Sequence, residues 1–136
     1  MKVVERRVLV VEDDDDIREI FAQILEEAGY VVTWAANGQD ALVALRSGAP
    51  LPGVIFLDLM MPIMDGWAFC RSRWKSRTLR EIPVILISAV DMSGSNRPTG
   101  VDAFLSKPLD VEEVTRLAAR IAGRKAAHAR PIDVLH

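Results

Sequence analysis

The sequence has few of the features that mark secreted or membrane proteins. It contains a single cysteine, Cys70, so no disulfide can form within the chain, and a reducing compartment is expected. No apolar run approaches the roughly 20 residues that span a bilayer. The apolar stretch near the N-terminus is too short for a signal peptide. We therefore predict a cytoplasmic domain that does not contact a membrane.

Signals for nucleic-acid and nucleotide binding are also missing. The net charge is −2, and Lys and Arg are not gathered into a dense stretch, so no direct contact with nucleic acid is expected. No GxxxxGK[ST] or GxGxxG loop is present, which argues against a nucleotide site. What remains is a chain of 136 residues, half of them hydrophobic and 26% charged. This composition is typical of one globular domain.

Short apolar runs rich in β-branched residues alternate with helical patterns along the chain. The central runs are apolar on both faces, as in a parallel sheet that helices cover on both sides. This alternation predicts a parallel α/β sheet with right-handed crossovers. Strands are predicted at residues 7–11, 30–35, 54–57, 83–87 and 102–105.

Four helices are predicted from apolar spacing and capping residues. The second follows Asn37, the third spans residues 67–76, and the last begins with a capping box formed by Asp110 and Glu113. The segment APLPG at 49–53 predicts a rigid surface connection. The first helix places one apolar face toward the core and ends at Gly29; that face consists of Ile17, Ile20, Phe21, Ile24, Leu25 and Ala28.

Polar side chains follow four of the predicted strands. Glu12 and Asp13 come after the first strand, Asp58 after the third, Ser88 after the fourth and Lys107 after the fifth. The carboxyl ends of parallel strands meet at one edge of a sheet, so these groups are expected to converge. Converging carboxylates favour a hard cation such as Mg²⁺, and an Asp carboxylate can itself attack phosphorus. The pattern predicts a Mg²⁺-dependent phosphoryl site.

The acidic run at residues 12–16 is open to three interpretations: a solvated turn, a helix N-terminus that favours negative charge, and a metal site. Taken singly, the other residues also have ordinary explanations. Asp58 could be a turn former and Lys107 a solvated surface charge. Only the combination indicates chemistry. We assign Glu12 and Asp13 to a metal site and residues 14–16 to the helix start.

The motifs VLVVEDD with Arg18 after it, IFLDLMMPIMDG, LISA and DAFLSKP resemble, in this order, the receiver domain of two-component response regulators. The resemblance extends over residues 4–124. It implies a flavodoxin-like (βα)5 doubly wound fold with a five-stranded parallel sheet of order 2-1-3-4-5. We expect a receiver domain at 1–124 and a short C-terminal tail at 125–136. The chain is interpreted as a stand-alone receiver or as a piece of a longer protein.

The resemblance also implies roles for individual residues. Asp58 would be the phosphoacceptor, and Lys107 would pair with it and later with the phosphoryl group. Mg²⁺ would be held by Glu12, Asp13, Asp58 and the backbone carbonyl of Met60. The implied activity is the protein's own phosphorylation and dephosphorylation, rather than turnover of a diffusible substrate.

Further implied features are a conformational switch and a set of partners. Ser88 matches the switch hydroxyl and Phe104 the switch aromatic, and the bond between Lys107 and Pro108 would be cis. The phosphoryl donor would be a sensor histidine kinase or a histidine phosphotransfer protein, and an unknown downstream protein would be the target. The alternative is a receiver-like interaction module that works without phosphorylation. A haloacid-dehalogenase-like phosphohydrolase would need a second Asp where Met60 stands.

The sequence departs from the family pattern after Ser88. Gly94 and Pro98 disfavour the fourth helix expected between Ser88 and Gly100, so this helix is predicted to be shortened or disordered. A brief helix capped by Asp91 is the alternative. Separately, the positions two beyond Asp58 and Ser88 are the apolar Met60 and Val90. These cannot orient a water, which predicts slow self-dephosphorylation.

Overall fold

The computed structural model describes residues 3–89 and 97–122, in which five strands alternate with helices. All the strands run parallel, in the order β2-β1-β3-β4-β5, which confirms the predicted fold and strand order. No helix in these two ranges has the length and apolar character needed to cross a membrane. The elements are β1 (Val3–Val11), α1 (Asp15–Glu27), β2 (Val31–Ala35), α2 (Gly38–Leu45), β3 (Leu51–Asp58), α3 (Gly66–Trp74), α4 (Arg77–Arg80), β4 (Val84–Ser88), β5 (Ala103–Ser106) and α5 (Val111–Ile121).

The sheet separates two hydrophobic clusters. Alternate side chains of β1 enter different clusters: Leu9 lies in the one that α2 and α3 cover, and Val10 in the one that α1 and α5 cover. In the second cluster the rings of Phe21 and Phe56 lie 5.2 Å apart between centroids. Because both faces of the central strands are buried there, residues 8–11 of β1, 54–57 of β3 and 84–87 of β4 are continuous apolar runs in the sequence.

Strands β1 and β3 are longer than predicted, and the interpretation of residues 49–53 as a surface connection is wrong. β3 begins at Leu51, which is buried. Val3 pairs with Leu51 and Val4 with Pro52, before a shift in register that precedes Val8. Proline lacks an N–H donor but is tolerated near the start of a strand, so Pro52 does not prevent this pairing.

The predicted third helix is shorter at its C-terminal end and is followed by a helix that was not predicted. α3 ends at Trp74, and Ser76 then caps α4 by accepting a hydrogen bond from the N–H of Leu79 at 3.2 Å. In α1, the expectation that Ile20 and Ala28 face the core is wrong, since both are exposed, Ile20 to 49%. Phe21 is fully buried, as predicted, whereas Ile20 lies at the border of the apolar face.

The predicted helix caps are confirmed. Asn37 accepts a hydrogen bond from the N–H of Asp40, and Asp110 accepts one from the N–H of Glu113. Gly29 follows α1 with a φ of +96°, a backbone conformation that glycine adopts without steric cost.

Two predictions about the fold concern residues outside the described ranges. The segment between Ser88 and Gly100, for which a shortened or disordered helix is expected, includes residues 90–96. The expected tail at 125–136 lies beyond residue 122. The conformation of that segment and the domain boundary at 124 stay predictions.

Candidate metal and phosphoacceptor site

The register of the sheet brings the predicted site residues to one edge. Glu12 directly follows β1 and Asp58 ends β3, and these strands are paired up to the residues just before them. Ser88 ends β4, and its carbonyl accepts a hydrogen bond of 3.0 Å from the backbone N–H of Lys107. Strand pairing alone therefore collects side chains from four separate motifs.

Three carboxylates converge at this edge, and one ammonium pairs with two of them. One carboxylate oxygen each from Glu12, Asp13 and Asp58 lies within 4.8 Å of the others. Glu12 is 1% exposed and Asp58 is 4% exposed, whereas Asp13 is exposed. Lys107 Nζ lies 3.3 Å from Glu12 Oε1 and 3.5 Å from Asp58 Oδ1. With all four groups charged, a single cation faces three anions and the site carries excess negative charge.

That excess charge affects the acid–base behaviour of the site. Burial and the neighbouring charge of Asp58 raise the pKa of Glu12 to about 7, although the N–H of Asp14 and the ammonium of Lys107 act in the opposite direction. Burial acts to lower the pKa of Lys107, but the carboxylates of Asp58 and Glu12 outweigh it and raise that pKa. A further cation would relieve the repulsion.

The residues fit a hard divalent cation. Glu12 Oε1 is buried and pairs with Lys107 Nζ, but among the described residues no donor meets it with the geometry of a hydrogen bond, which leaves it able to bind a cation. Three carboxylates without sulfur or imidazole ligands favour Mg²⁺ or Ca²⁺ over softer metals. Mg²⁺ is commonly held by few carboxylates and completed by waters and phosphate oxygens, which suits a site that is open on the side of Asp13.

The other predicted residues lie around this cluster. Met60 is in the loop after β3 with an exposed side chain, and Ser88 is buried at the end of β4. Phe104, on β5, is partly buried, and the guanidinium of Arg97 lies 4.4 Å from the centroid of its ring. The bond between Lys107 and Pro108 is cis, as the resemblance implies. Because Val90 is outside the described residues, its predicted effect on dephosphorylation stays a prediction.

The loop after Asp58 passes very close to the strand that carries it. The N–H of Gly66 donates to the carbonyl of Leu59 at 2.8 Å. A Cβ at Gly66 would lie 2.8 Å from the carbonyl oxygen of Asp58 and 2.9 Å from Leu59 Cα. Only glycine fits this approach, so Gly66 sets the path of the backbone beside the candidate acceptor.

The same loop contains an uncommon backbone conformation. Ile63 has a φ of +69°, and the N–H of Met64 donates to the carbonyl of Pro62 at 2.7 Å, which closes a tight three-residue turn. Positive φ is rare for a β-branched residue, and such strain often accompanies functional sites. The carbonyl of Met64 in turn accepts a hydrogen bond of 2.9 Å from the N–H of Gly38, which ties the loop to α2.

Comparison with known proteins identifies the family. A model of the response regulator receiver domain matches residues 8–119. The chain belongs to this family. It is 33% identical over 124 residues to the response regulator Rre1 of Synechocystis sp., covering 88% of this chain and 53% of Rre1. It is 40% identical over 108 residues to the response regulator PleD of Caulobacter vibrioides, covering 76% of this chain and 23% of PleD. The chain thus spans about half or less of these relatives.

Solved receiver structures share the fold. The receiver domain of the sensor histidine kinase PA1611 from Pseudomonas aeruginosa superposes with a TM-score of 0.77 at 26% identity, covering 86% of this chain and 97% of that domain, and it holds a magnesium ion in its active-site cleft. The regulator TrrA of Thermotoga maritima, in complex with Mg²⁺ and BeF, gives a TM-score of 0.74 at 28% identity, covering 89% of this chain and 99% of TrrA. This receiver is therefore a module of two-component signalling, a class that differs from conventional enzymes.

Proposed function

We propose that Asp58 of this receiver accepts a phosphoryl group from a phosphohistidine in a Mg²⁺-dependent reaction, and that this phosphorylation changes the surface offered to a partner. One observation carries the proposal. Lys107 Nζ lies within 3.5 Å of Asp58 Oδ1, at the edge of the sheet where the carboxylates of Glu12 and Asp13 also converge. An acceptor carboxylate, a cation for phosphoryl oxygens and a metal-binding acidic pair are thus together.

The chemistry follows from these groups. A carboxylate oxygen of Asp58 attacks phosphorus, and an O–P bond forms as the P–N bond of phosphohistidine breaks, with the bonding electron pair passing to the imidazole nitrogen. The ammonium of Lys107 neutralises charge on the phosphoryl oxygens. When bound, Mg²⁺ supplies further positive charge for the same purpose. Phosphoryl transfer depends mainly on positioning and charge neutralisation, which these fixed side chains provide.

The proposed metal ligands are the carboxylates of Glu12, Asp13 and Asp58 and the backbone carbonyl of Met60. Their convergence within 4.8 Å for the three carboxylates supports this assignment, as does the magnesium in the PA1611 receiver. Glu12 and Asp58 are buried where β1 and β3 end, so their side chains have less conformational freedom than solvent-exposed carboxylates.

The proposed switch consists of Ser88 and Phe104. Ser88 is buried at the end of β4, and its carbonyl accepts a hydrogen bond from the backbone N–H of Lys107. This position beside the strand that carries Asp58 supports a role for the Ser88 hydroxyl as a donor to a phosphoryl oxygen. Phe104 pairs with Leu86 across β4 and β5, and its ring is only partly buried. We infer that inward movement of Phe104 accompanies that of Ser88 and alters the surface near β5.

The proposed phosphoryl donor is a sensor histidine kinase or a histidine phosphotransfer protein, and the output is a downstream protein that binds the altered surface. Family membership supports both kinds of partner. A cytoplasmic location suits this chemistry and is proposed with it. Relatives such as RpaA of Synechocystis sp. are DNA-binding regulators, but this chain spans 45% of RpaA.

The test is phosphorylation by acetyl phosphate with Mg²⁺, followed by the mass of the intact protein. We expect a single phosphoryl group on the wild type and on Asp16→Asn, an exposed acidic control. None is expected on Asp58→Asn or after chelation of Mg²⁺. Unchanged labelling of Asp58→Asn would refute the acceptor. A folded wild type that no phosphodonor labels would instead favour the interaction module that works without phosphorylation.

A further inference from the structure

Arg18 and Trp34 form a stacked pair beside the loop between β1 and α1. The guanidinium of Arg18, on α1, lies 4.0 Å from the centroid of the Trp34 ring, on the edge strand β2. Trp34 is 59% exposed, whereas the side chain of Arg18 is only 13% exposed. The ring therefore contributes to covering the cation, which strengthens a cation–π contact relative to a fully solvated one.

The same guanidinium binds the main chain of the acidic loop. Arg18 Nη1 donates to the carbonyl of Glu12 at 2.9 Å and to that of Asp13 at 3.4 Å. Arg18 Nη2 pairs with the carboxylate of Asp15. One nitrogen of Arg18 thus bridges two successive residues whose carboxylates enter the metal site. The second nitrogen pairs with Asp15 while the flat face of the group lies on the Trp34 ring, a combination that guanidinium offers and ammonium does not.

Strand β2 holds this loop from a second direction. The N–H of Glu12 donates to the carbonyl of Ala35 at 3.0 Å, and Trp34 precedes Ala35 in β2, opposite Val10 of β1. The main chain that carries the Trp34 ring is therefore fixed relative to Glu12. Because Arg18 rests on that ring, its position relative to Glu12 and Asp13 is fixed as well.

We propose that Arg18 and Trp34 are positioning residues for the metal site. The ring of Trp34 holds the guanidinium of Arg18, which fixes the backbone at Glu12 and Asp13 so that their carboxylates converge with Asp58. This inference rests on the proposed function, since Mg²⁺ is the ligand. Mutually repelling carboxylates separate unless their backbone is restrained, so such a restraint raises metal affinity by lowering the cost of assembling the site.

Positioning can be separated from simple electrostatics by the sign of the effect. Arg18 is itself a cation on the loop that would bind a cation. If it acted only through its charge, its removal would strengthen Mg²⁺ binding. If it positions the loop, its removal weakens Mg²⁺ binding despite the lost repulsion.

The experiment measures the dissociation constant for Mg²⁺ by titration calorimetry on the full chain, with urea unfolding as a check of the fold. We expect Arg18→Ala to weaken binding by about 10-fold, in the range found for residues that orient metal ligands. Arg18→Lys, which keeps the charge, should weaken it similarly because a compact ammonium cannot stack on Trp34, pair with Asp15 and bind the two carbonyls at the same time. Trp34→Ala should weaken it by about 3-fold, and Trp34→Phe by less.

A double variant and a matched control sharpen the test. Arg18→Ala with Trp34→Ala should bind Mg²⁺ no more weakly than Arg18→Ala alone, because Trp34 acts through Arg18. Arg80 and Trp74 form another Arg–Trp pair, with 5.0 Å from the guanidinium to the ring centroid, at the ends of α4 and α3. Arg80→Ala and Trp74→Ala should leave the Mg²⁺ dissociation constant unchanged.

Unchanged or tighter Mg²⁺ binding by folded Arg18→Ala, with normal binding by the wild type, would overturn the inference alone. An effect of Trp34→Ala that persists in the Arg18→Ala background would remove Trp34 from it. A wild type that does not bind Mg²⁺ would refute the metal part of the proposed function instead. Should Arg18→Ala fail to fold, the two Trp34 variants supply the test. A Trp34→Ala variant that binds Mg²⁺ as tightly as Trp34→Phe and the wild type would then overturn the inference.

Discussion

At the scale of single residues, buried charge is the main departure from an ordinary α/β core. Glu12 and Asp58 are buried together at the edge of the sheet. Arg73 is fully buried on α3, where its Nη2 donates to the carbonyl of Ile82 at 2.6 Å and to that of Arg80 at 3.2 Å. Burial dominates the lowering of the Arg73 pKa. Charges removed from water cost folding free energy unless they are fully compensated, so these residues lower stability.

Glu12→Gln should stabilise the protein in the absence of Mg²⁺ while weakening Mg²⁺ binding. Folding raises the pKa of Glu12 from 4.5 to about 7, so the folded state favours the protonated carboxyl. The stability of the wild type therefore falls as the pH rises from 4.5 through about 7. Removing this charge should increase the free energy of unfolding at pH 8 by no more than about 3 kcal/mol. Urea unfolding with a chelator measures it. Glu19→Gln, at an exposed position of α1, is the control, and a less stable Glu12→Gln would contradict the prediction.

Cys70 should make stability depend on pH in the alkaline range. Burial raises the pKa of its thiol to about 11, despite the opposing charges of Arg73 and Arg71. A raised pKa means that the folded state favours the protonated thiol. The contribution of this thiol to the free energy of unfolding is therefore complete below pH 9 and is lost as the pH rises through about 11. Between pH 8 and 10.5 the wild type should lose about 2 kcal/mol relative to Cys70→Ala. Urea unfolding of both proteins at each pH tests this, and parallel pH profiles would count against it.

At the scale of elements, the loop between β3 and α3 links the acceptor to the helix that follows. Gly66 lies against the backbone of Asp58, and Asp65 caps α3 by accepting a hydrogen bond of 2.9 Å from the N–H of Ala68. Ile63 adds a positive φ in the same loop. Backbone contacts therefore set the path of this loop, so a displacement of the loop backbone at Gly66 would also displace the backbone of Asp58.

Gly66→Ala should destabilise the protein and weaken Mg²⁺ binding together. The new Cβ would meet the backbone of Asp58 and Leu59 at under 3 Å, so one of the two chain segments must move. A loss of about 2–3 kcal/mol is expected from this overpacking. Gly48→Ala is the control: Gly48 also has a positive φ, +90°, but a Cβ there meets nothing within 4 Å.

The Gly48→Ala control should lose about 1 kcal/mol from backbone strain and keep its Mg²⁺ affinity. Urea unfolding and calorimetric titration measure both variants. Equal losses of stability, or an unaltered Mg²⁺ affinity in Gly66→Ala, would show that the close approach is not what fixes the acceptor.

At the scale of the whole molecule, the site is assembled by the sheet. Glu12, Asp58, Ser88 and Lys107 come from four strand ends that only the parallel pairing of β1, β3, β4 and β5 brings together. Binding a cation there should therefore oppose unfolding of the entire domain, because the unfolded chain holds no such site.

Mg²⁺ at 100 times its dissociation constant should raise the free energy of unfolding by about 2.7 kcal/mol. Asp13→Asn should lose this increment because it removes one of the three converging carboxylates. Asp16→Asn, in the first turn of α1, should keep it. The measurement is the shift of the urea midpoint on adding Mg²⁺. The same shift in wild type and Asp13→Asn would place the cation elsewhere.

The predictions made from sequence were most successful where a pattern is local. The apolar runs of β1, β3 and β4 and the capping residues Asn37 and Asp110 have short-range causes, and they are confirmed. Predictions were wrong where a distant segment decided the outcome. Pro52 and its neighbours have the composition of a loop, yet they pair with the start of β1. Ile20 fits a helical apolar face, but no buried surface faces it.

By itself, the sequence determined the order of the strands and of the helices α1, α2, α3 and α5, and which polar residues follow each strand, because periodicity and capping act within a few residues. Tertiary structure alone decided which of these side chains are in contact and how much folding free energy their burial costs. It placed Arg73 in the core against the carbonyl of Ile82, and it stacked Arg18 on Trp34 beside Glu12. Such contacts join different elements, and their energies depend on burial and distance, which exist only once the chain has folded.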